Sequence, residues 1–278
     1  MNALNQFMIH KKVVIITGGG GLLGRKHSEA VIEGGGISVL VDISQDAIDK
    51  AKACICSTYG SKCKVEGYTA DISKREEIEA IKESLLKKYG HIDVLINNAA
   101  NNPKVEGNAA NMKAIQFENF PINIWLDDIA VGLTGSLICS QIFGAVMAEQ
   151  GKGVILNISS DLGIIAPDQR IYRKDGIADD KQAVKPVTYS VIKHGLIGLT
   201  KYLATYYAEK GVRANVLCPG GVYNGQNEEF LAKLTNLIPL GRMANADEYK
   251  STVLYLIYDA SSYMTGSTII VDGGRTCW

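Results

Sequence analysis

The sequence predicts an α/β fold: a single domain over residues 1–278, built on a doubly wound parallel sheet of about seven strands with helices on both faces. Three observations carry this expectation. Short apolar runs rich in Val and Ile alternate with longer amphipathic segments along most of the chain. The first of these runs leads directly into glycines and then into a helical pattern, the order of a strand, a tight turn and a crossover. No interdomain linker, internal repeat or low-complexity tract breaks the alternation.

The first strand is read at 13–17, where Val13-Val14-Ile15-Ile16-Thr17 is apolar almost throughout, as a strand covered on both faces must be. A glycine-rich turn follows and opens a helix over 22–34. Glycines let a backbone approach a pyrophosphate closely, and the free amides of a helix start receive it, so Gly18, Gly21, Leu22, Leu23 and Gly24 are read as a dinucleotide phosphate site. The second strand, 37–41, runs into Asp42 and Ile43. A carboxylate there can accept both adenosine ribose hydroxyls and repel a 2′-phosphate; with no Arg or Lys directly after it, NAD is expected rather than NADP. Capping of the helix that begins near Ser44 is the alternative use of Asp42.

A helix at 44–59, a strand at 64–68, a helix at 74–89 and a strand at 94–96 continue the order. One long helix is expected over 117–149, with its start left open by Pro121. The fifth strand, 154–158, ends at Ser159-Ser160-Asp161. Residues 167–186 then break the rhythm: they are polar, charged and without periodicity, and are read as an inserted substrate loop or lid. Arg170, Arg173, Lys174, Lys181 and Lys185 nearly balance Asp168, Asp175, Asp179 and Asp180, so the insert is no basic clamp, although two or three of its cations could meet a phosphate. A helix at 187–209, a strand at 213–217, a helix at 245–259 and a strand at 268–271 complete the chain.

In the helix after the insert, Tyr189 and Lys193 lie four residues apart and so share a face. The ammonium favours the phenolate and brings a phenol with a reference pKa of about 10 toward use as a proton donor or acceptor near neutrality. Composition narrows the partners. Equal numbers of basic and acidic side chains, 29 each, give no general attraction to nucleic acid or to an anionic membrane. Met1 to His10 has neither a basic leader region nor a continuous apolar one, and no uninterrupted 18-residue apolar span follows, which points to the cytoplasm. The six cysteines and four histidines form no paired metal-ligand motif, so no metal is expected and the thiols are read as reduced and structural.

Together these residues resemble the classical short-chain dehydrogenase/reductase family, from Lys12 to Gly274. Thr17-Gly18 through Gly24 is similar to its cofactor turn, Asp71-Ile72 to its adenine contact, and Asn97-Asn98-Ala99-Ala100 to the segment after its fourth strand. Asn157-Ile158-Ser159-Ser160, Tyr189 and Lys193 match its catalytic positions, Cys218-Pro219-Gly220-Gly221-Val222 its loop over the nicotinamide, and 263–274 its C-terminal signature. The resemblance implies a Rossmann-like sheet and NAD-dependent hydride transfer, with Ser160, Tyr189 and Lys193 catalytic. Cofactor contacts are implied for Asn98, Ala99, Pro219, Gly220 and Val222 as well as Tyr189 and Lys193.

It also implies a homotetramer, or a homodimer, formed through 137–148 and 196–208 with Phe143, Met147, Leu199, Leu203 and Tyr206, whose alternative use is packing against the chain's own sheet. A narrower similarity, carried by the insert, the Thr188 to Lys193 wording and the Trp278 ending, is to bacterial proteins of sugar modification and of nonulosonate supply to flagellin. It implies a sugar phosphate or nucleotide sugar as substrate, met by Asp161, Asp168, Arg170 and Arg173; the alternative is another secondary alcohol or an acyl substrate, or a non-catalytic NAD-binding relative. Departures from the family pattern are Leu22 for a glycine, Gly132 for the asparagine of the catalytic set, Asn224 for a cofactor-binding threonine, and the insert between Ser160 and Tyr189.

Overall fold

A computed structural model describes residues 8–101 and 115–278. The first seven residues, part of the leader reading, lie outside the described residues. Among the described residues, β1 (Val13–Thr17), β2 (Ile37–Asp42), β3 (Val65–Thr69), β4 (Val94–Asn97), β5 (Gly153–Ile158), β6 (Val212–Pro219) and β7 (Thr268–Val271) form one sheet in the order β3-β2-β1-β4-β5-β6-β7. Every pairing is parallel. The order reverses between β1 and β4, which opens a crevice beyond their C-terminal ends.

Helices α1 (Leu22–Glu33), α2 (Gln45–Tyr59) and α3 (Arg75–Tyr89) connect the first four strands. Ser44 caps α2 by accepting from the Ala47 amide, so the capping alternative for Asp42 falls to its neighbour. The two sheet faces feed two cores by strict alternation. Val13 and Ile15 pack with Leu95 and Phe143, whereas Val14 and Ile16 pack with Leu40 and Leu156. Each such fully buried side chain contributes roughly 1.5–3 kcal/mol, which is why β1 has no polar face.

The long helix divides. Pro121 sets its start, so α4 covers only Ile122–Ile129; a π-helical turn, Ala130–Thr134, then joins it to α5 (Gly135–Glu149). The most apolar 18 residues of this 28-residue run have a mean hydropathy of 1.7, and by length and composition alone the run could cross a membrane, but half of that stretch is buried within the protein. After β5 come α6 (Val187–Tyr206), then α7 (Glu228–Thr235), which the sequence reading missed, and α8 (Lys250–Ile257). Asn227 caps α7 by accepting from the Phe230 amide.

Two expectations need correction. Phe143, Met147 and Leu203 belong to this chain's own core, and Leu199 packs against it, so of the five residues named for an interface only Tyr206 is exposed, stacked on an exposed Tyr202. The periodicity that marked them was that of a helix facing its own sheet. Nor are all six cysteines reduced: Cys56, near the end of α2, and Cys63, just before β3, form a disulfide across the turn at Gly60.

Candidate active site

A cleft of about 510 Å³ lies at the C-terminal ends of the strands. Its first wall is backbone. Gly18 has φ +61°, and a Cβ there would stand 2.8 Å from Ala99 Cα; a Cβ on Gly24 would stand 2.2 Å from the Gly18 carbonyl oxygen. Glycine is therefore required for the turn to close against β4 and for α1 to pack on the turn. Gly18, Gly21, Leu22, Leu23 and Gly24 all line the cleft, where the first amides of α1 have no carbonyl one turn back. This cradle suits a pyrophosphate, and the residues present thus fit a dinucleotide.

Asp42 lines the same wall, with its carboxylate pinned by the Gly20 amide at 3.0 Å and the Ser44 amide at 3.1 Å. Asn98 and Ala99 complete the wall; both amides donate to Thr17 Oγ1, and Asn98 Nδ2 donates to the Thr17 and Gly18 carbonyls. Pro219, Gly220, Val222 and Asn224 line the far side. Ile43, Asp71 and Ile72 are outside the lining residues: Ile43 is exposed, Ile72 is buried against Gly135, and Asp71 accepts from Ser73.

The second wall brings together the ends of β5 and α6. Ser159 Oγ donates to the Lys193 carbonyl at 2.7 Å, and Lys193 Nζ donates to the Ile158 carbonyl at 2.9 Å. These bonds fix α6 on β5, and Ser160, Tyr189 and Lys193 consequently line one cleft. Burial pushes the Lys193 ammonium down to about 8. Burial also raises the Tyr189 phenol above its ordinary value, while Ser160 and Arg275 pull it down. The expectation of a phenol lowered by Lys193 is not met: desolvation of the phenol dominates, and the opposing pull comes from Ser160 and Arg275, with the Lys193 ammonium 5.7 Å from the ring centroid.

At Gly132, within the π-helical turn, a Cβ would stand 2.7 Å from Ile192 Cγ2. Ile192, on α6 between Tyr189 and Lys193, therefore occupies the space a larger side chain at 132 would need.

The substrate half differs most from the sequence reading. Asp161 lines the cleft, but Asp168, Arg170 and Arg173 do not: Arg170 pairs with Asp168 at 2.7 Å and Arg173 with Asp179 at 3.8 Å, with both arginines exposed. Among the lining residues, Tyr172, Phe230 and Arg275 have no place in the sequence expectations, and Lys185 stands there only as one of the insert's five cations. Tyr172 packs on Phe230 with ring centroids 5.5 Å apart, joining the insert to α7 as a roof. Arg275 NH1 donates to Asp161 Oδ2 at 2.7 Å, and both side chains are buried. Asp161 Oδ1 in turn accepts from Ser160 Oγ at 2.7 Å. Only the two charges in the insert's last residues and the C-terminal signature hinted at this group.

The model of a family described as enoyl-(acyl carrier protein) reductase matches residues 22–276. An NAD-dependent glycerol dehydrogenase of Listeria innocua is 30% identical, over 97% of this chain and 96% of its own. The crystal structure of a short chain dehydrogenase from Leptospira borgpetersenii with bound NAD+ has a TM-score of 0.82 at 30% identity, covering 99% of this chain and 96% of that one. The post-translational flagellin modification protein A of Campylobacter coli is 26% identical, over 96% of this chain and 99% of its own. Other relatives are named for a 3-oxoacyl-acyl-carrier-protein, for threitol and for a hydroxysteroid.

Proposed function

This chain belongs to the classical short-chain dehydrogenase/reductase family, and on that premise we propose that it transfers hydride between NAD and a secondary alcohol or ketone. The observation that carries the reading is the shared cleft: the glycine turn, Ser160, Tyr189 and Lys193 all line it. The bound nicotinamide supplies the hydride acceptor in oxidation and the donor in reduction. Tyr189 takes the hydroxyl proton as the carbonyl forms and returns it in the reverse direction. Ser160 turns its hydroxyl from Asp161 to the substrate oxygen, where negative charge grows and the bond strengthens in the transition state. Lys193 holds the nicotinamide ribose, and Ser160 and Arg275 offset part of the burial that opposes the phenolate.

Asp42 supports NAD over NADP, since a 2′-phosphate beside that carboxylate would be repelled. The insert at 167–186 acts as a lid, and its polarity, with the likeness to the flagellin modification protein, supports a sugar phosphate or nucleotide sugar. The unrelated substrates for which the other relatives are named favour the broader reading, a secondary alcohol or ketone without restriction to sugars. A cytoplasmic homotetramer, with a homodimer as the smaller unit, accompanies it; the exposed Tyr202, Tyr206, Ile122 and Leu126 support burial between copies.

Calorimetric titration with NAD+ and NADP+, followed by a panel of polyols, hydroxysteroids and sugar nucleotides read through reduced nicotinamide absorbance, tests the proposal. NAD+ should bind at least tenfold tighter than NADP+. Binding of neither dinucleotide overturns the function, and tighter NADP+ binding overturns the role of Asp42.

A further inference from the structure

The substrate end of the cleft holds more positive charge than the proposed hydride transfer uses. Among the described residues, Lys185, Lys193 and Arg275 line it, against the single carboxylate of Asp161; Asp42 is at the opposite end, beyond β2. Lys193 is occupied with the Ile158 carbonyl and the cofactor side, which leaves Lys185 and Arg275 without a part in the chemistry. Both stand close to the reacting groups. The Lys185 ammonium is 3.8 Å from the centroid of the Tyr189 ring, and the fields of Asp161 and Arg275 both reach the Tyr189 phenol.

Arg275 is the more telling of the two. It is 6% exposed, yet among the described residues its side chain bonds only to Asp161, through NH1, and its Nε is buried without any partner. A guanidinium carries five donors in a planar fork suited to a carboxylate or phosphate. Leaving a buried donor unmade costs about 1–3 kcal/mol, so an orphaned Nε in a cleft wall calls for an acceptor that arrives from the cleft. Asp161 does not serve as that acceptor: its Oδ2 receives NH1, its Oδ1 receives Ser160 Oγ and the Leu162 amide, and neither bonds Nε. Asp168, also within the field of Arg275, is engaged by Arg170.

We propose that Arg275 and Lys185 form an anion subsite, and that the alcohol or ketone substrate carries a carboxylate or phosphate group close to its reacting carbon. The inference rests on the hydride-transfer reading and narrows its substrate class. Asp161 holds the guanidinium edge that does not face the ligand, and it ties that edge to Ser160, so a seated anion and an aligned Ser160 are parts of one arrangement. Exposed Arg170 and Arg173, paired on the outer surface of the insert, have no place in it.

The test uses NAD+-loaded protein, so that the pyrophosphate cradle is already filled, and titrates inorganic phosphate and malonate by calorimetry at constant ionic strength. Saturable binding of at least one is expected, weakened tenfold or more by Lys185→Met and by Arg275→Met, with NAD+ affinity unchanged. Because Arg275→Met leaves Asp161 buried and unpaired, the double variant Asp161→Asn/Arg275→Met serves as the control that keeps the fold and still lacks the anion site. A preference for phosphate identifies a phosphorylated alcohol, and a preference for malonate identifies a hydroxy- or oxo-carboxylate. An absence of anion binding in protein that does bind NAD+, or binding indifferent to these substitutions, overturns the subsite and leaves the hydride-transfer reading standing. Failure to bind NAD+ overturns that reading, and the subsite falls with it.

Discussion

The two halves of the cleft are made of different material. The cofactor half is backbone: glycines that no Cβ could replace, helix-start amides, and a carboxylate pinned by two amides at the end of β2. The substrate half is side chain: Asp161, Tyr172, Lys185, Phe230 and Arg275 arrive from four separate stretches and meet only in the folded protein. The difference teaches where specificity can vary. A backbone cradle is set by strand order and tolerates few changes, whereas a side-chain pocket can be rebuilt one residue at a time on the same sheet, in keeping with relatives named for polyols, steroids and acyl thioesters.

The largest expected effect falls where the halves meet. Tyr189→Phe keeps the ring and its packing but removes the proton, and should lower kcat by about 10²–10⁴-fold while leaving the NAD+ dissociation constant within a few-fold of the wild type. Stopped-flow and steady-state kinetics on one verified substrate, with a parallel calorimetric titration, check both parts. Equal turnover in the variant would remove Tyr189 from the proton transfer and erase the boundary drawn here.

The next effect should mark the cofactor half through acid. His27, on α1, is buried and pushed down to about 4 by desolvation, against the pull of Asn98. Its folded value lies below the ordinary 6.5, so the unfolded chain takes up the proton first. Stability is therefore full above pH 6.5 and is lost as the pH falls toward 4, by up to about 3 kcal/mol. Denaturant melts across that range should show the loss, and a His27→Leu variant should flatten it. An unchanged slope in the variant would assign the acid sensitivity elsewhere.

Gly24→Ala sharpens the same half by geometry. The new methyl would stand 2.2 Å from the Gly18 carbonyl oxygen, a backbone atom that cannot simply rotate away. The turn must shift, at a cost of about 1–3 kcal/mol, and NAD+ affinity should fall tenfold or more. Retained affinity would mean that the turn is looser than its packing implies.

How much of this was legible follows the same division. All seven strands were read to within two residues at either end, because a strand buried on both faces must be an apolar run, and the glycine turn followed from the chemistry of phosphate. Helix α7 was missed since eight residues give barely two turns of pattern; Asn227 followed by Glu228 and Glu229, then Phe230, Leu231 and Leu234, is the signal that could have found it. The Cys56–Cys63 disulfide depends on a turn that folds the end of α2 back on the start of β3, which spacing alone does not show. The placement of Arg275, and of Lys185 among the insert's five cations, was hidden for a different reason. Their partners lie 114 residues away in one case and are an aromatic face in the other, and no periodicity encodes either.

The smallest effect tests whether the insert belongs to the substrate half alone. Gln182 is buried and knots the loop together: its Nε2 donates to the Lys174 and Ile177 carbonyls at 3.0 and 2.7 Å, and its Oε1 accepts from the Lys174 amide at 2.8 Å. Gln182→Ala leaves those three backbone groups without their partner, at a local cost of about 1–2 kcal/mol, while touching nothing in the glycine turn. Hydrogen exchange should quicken over 174–182, and the substrate KM should rise several-fold as the roof carried by Tyr172 loosens over Phe230. NAD+ affinity should stay as it was. A variant that lost cofactor binding to the same extent as substrate binding would show that the insert orders the whole cleft, and the separation of a backbone half from a side-chain half would fail at the residue best placed to expose it.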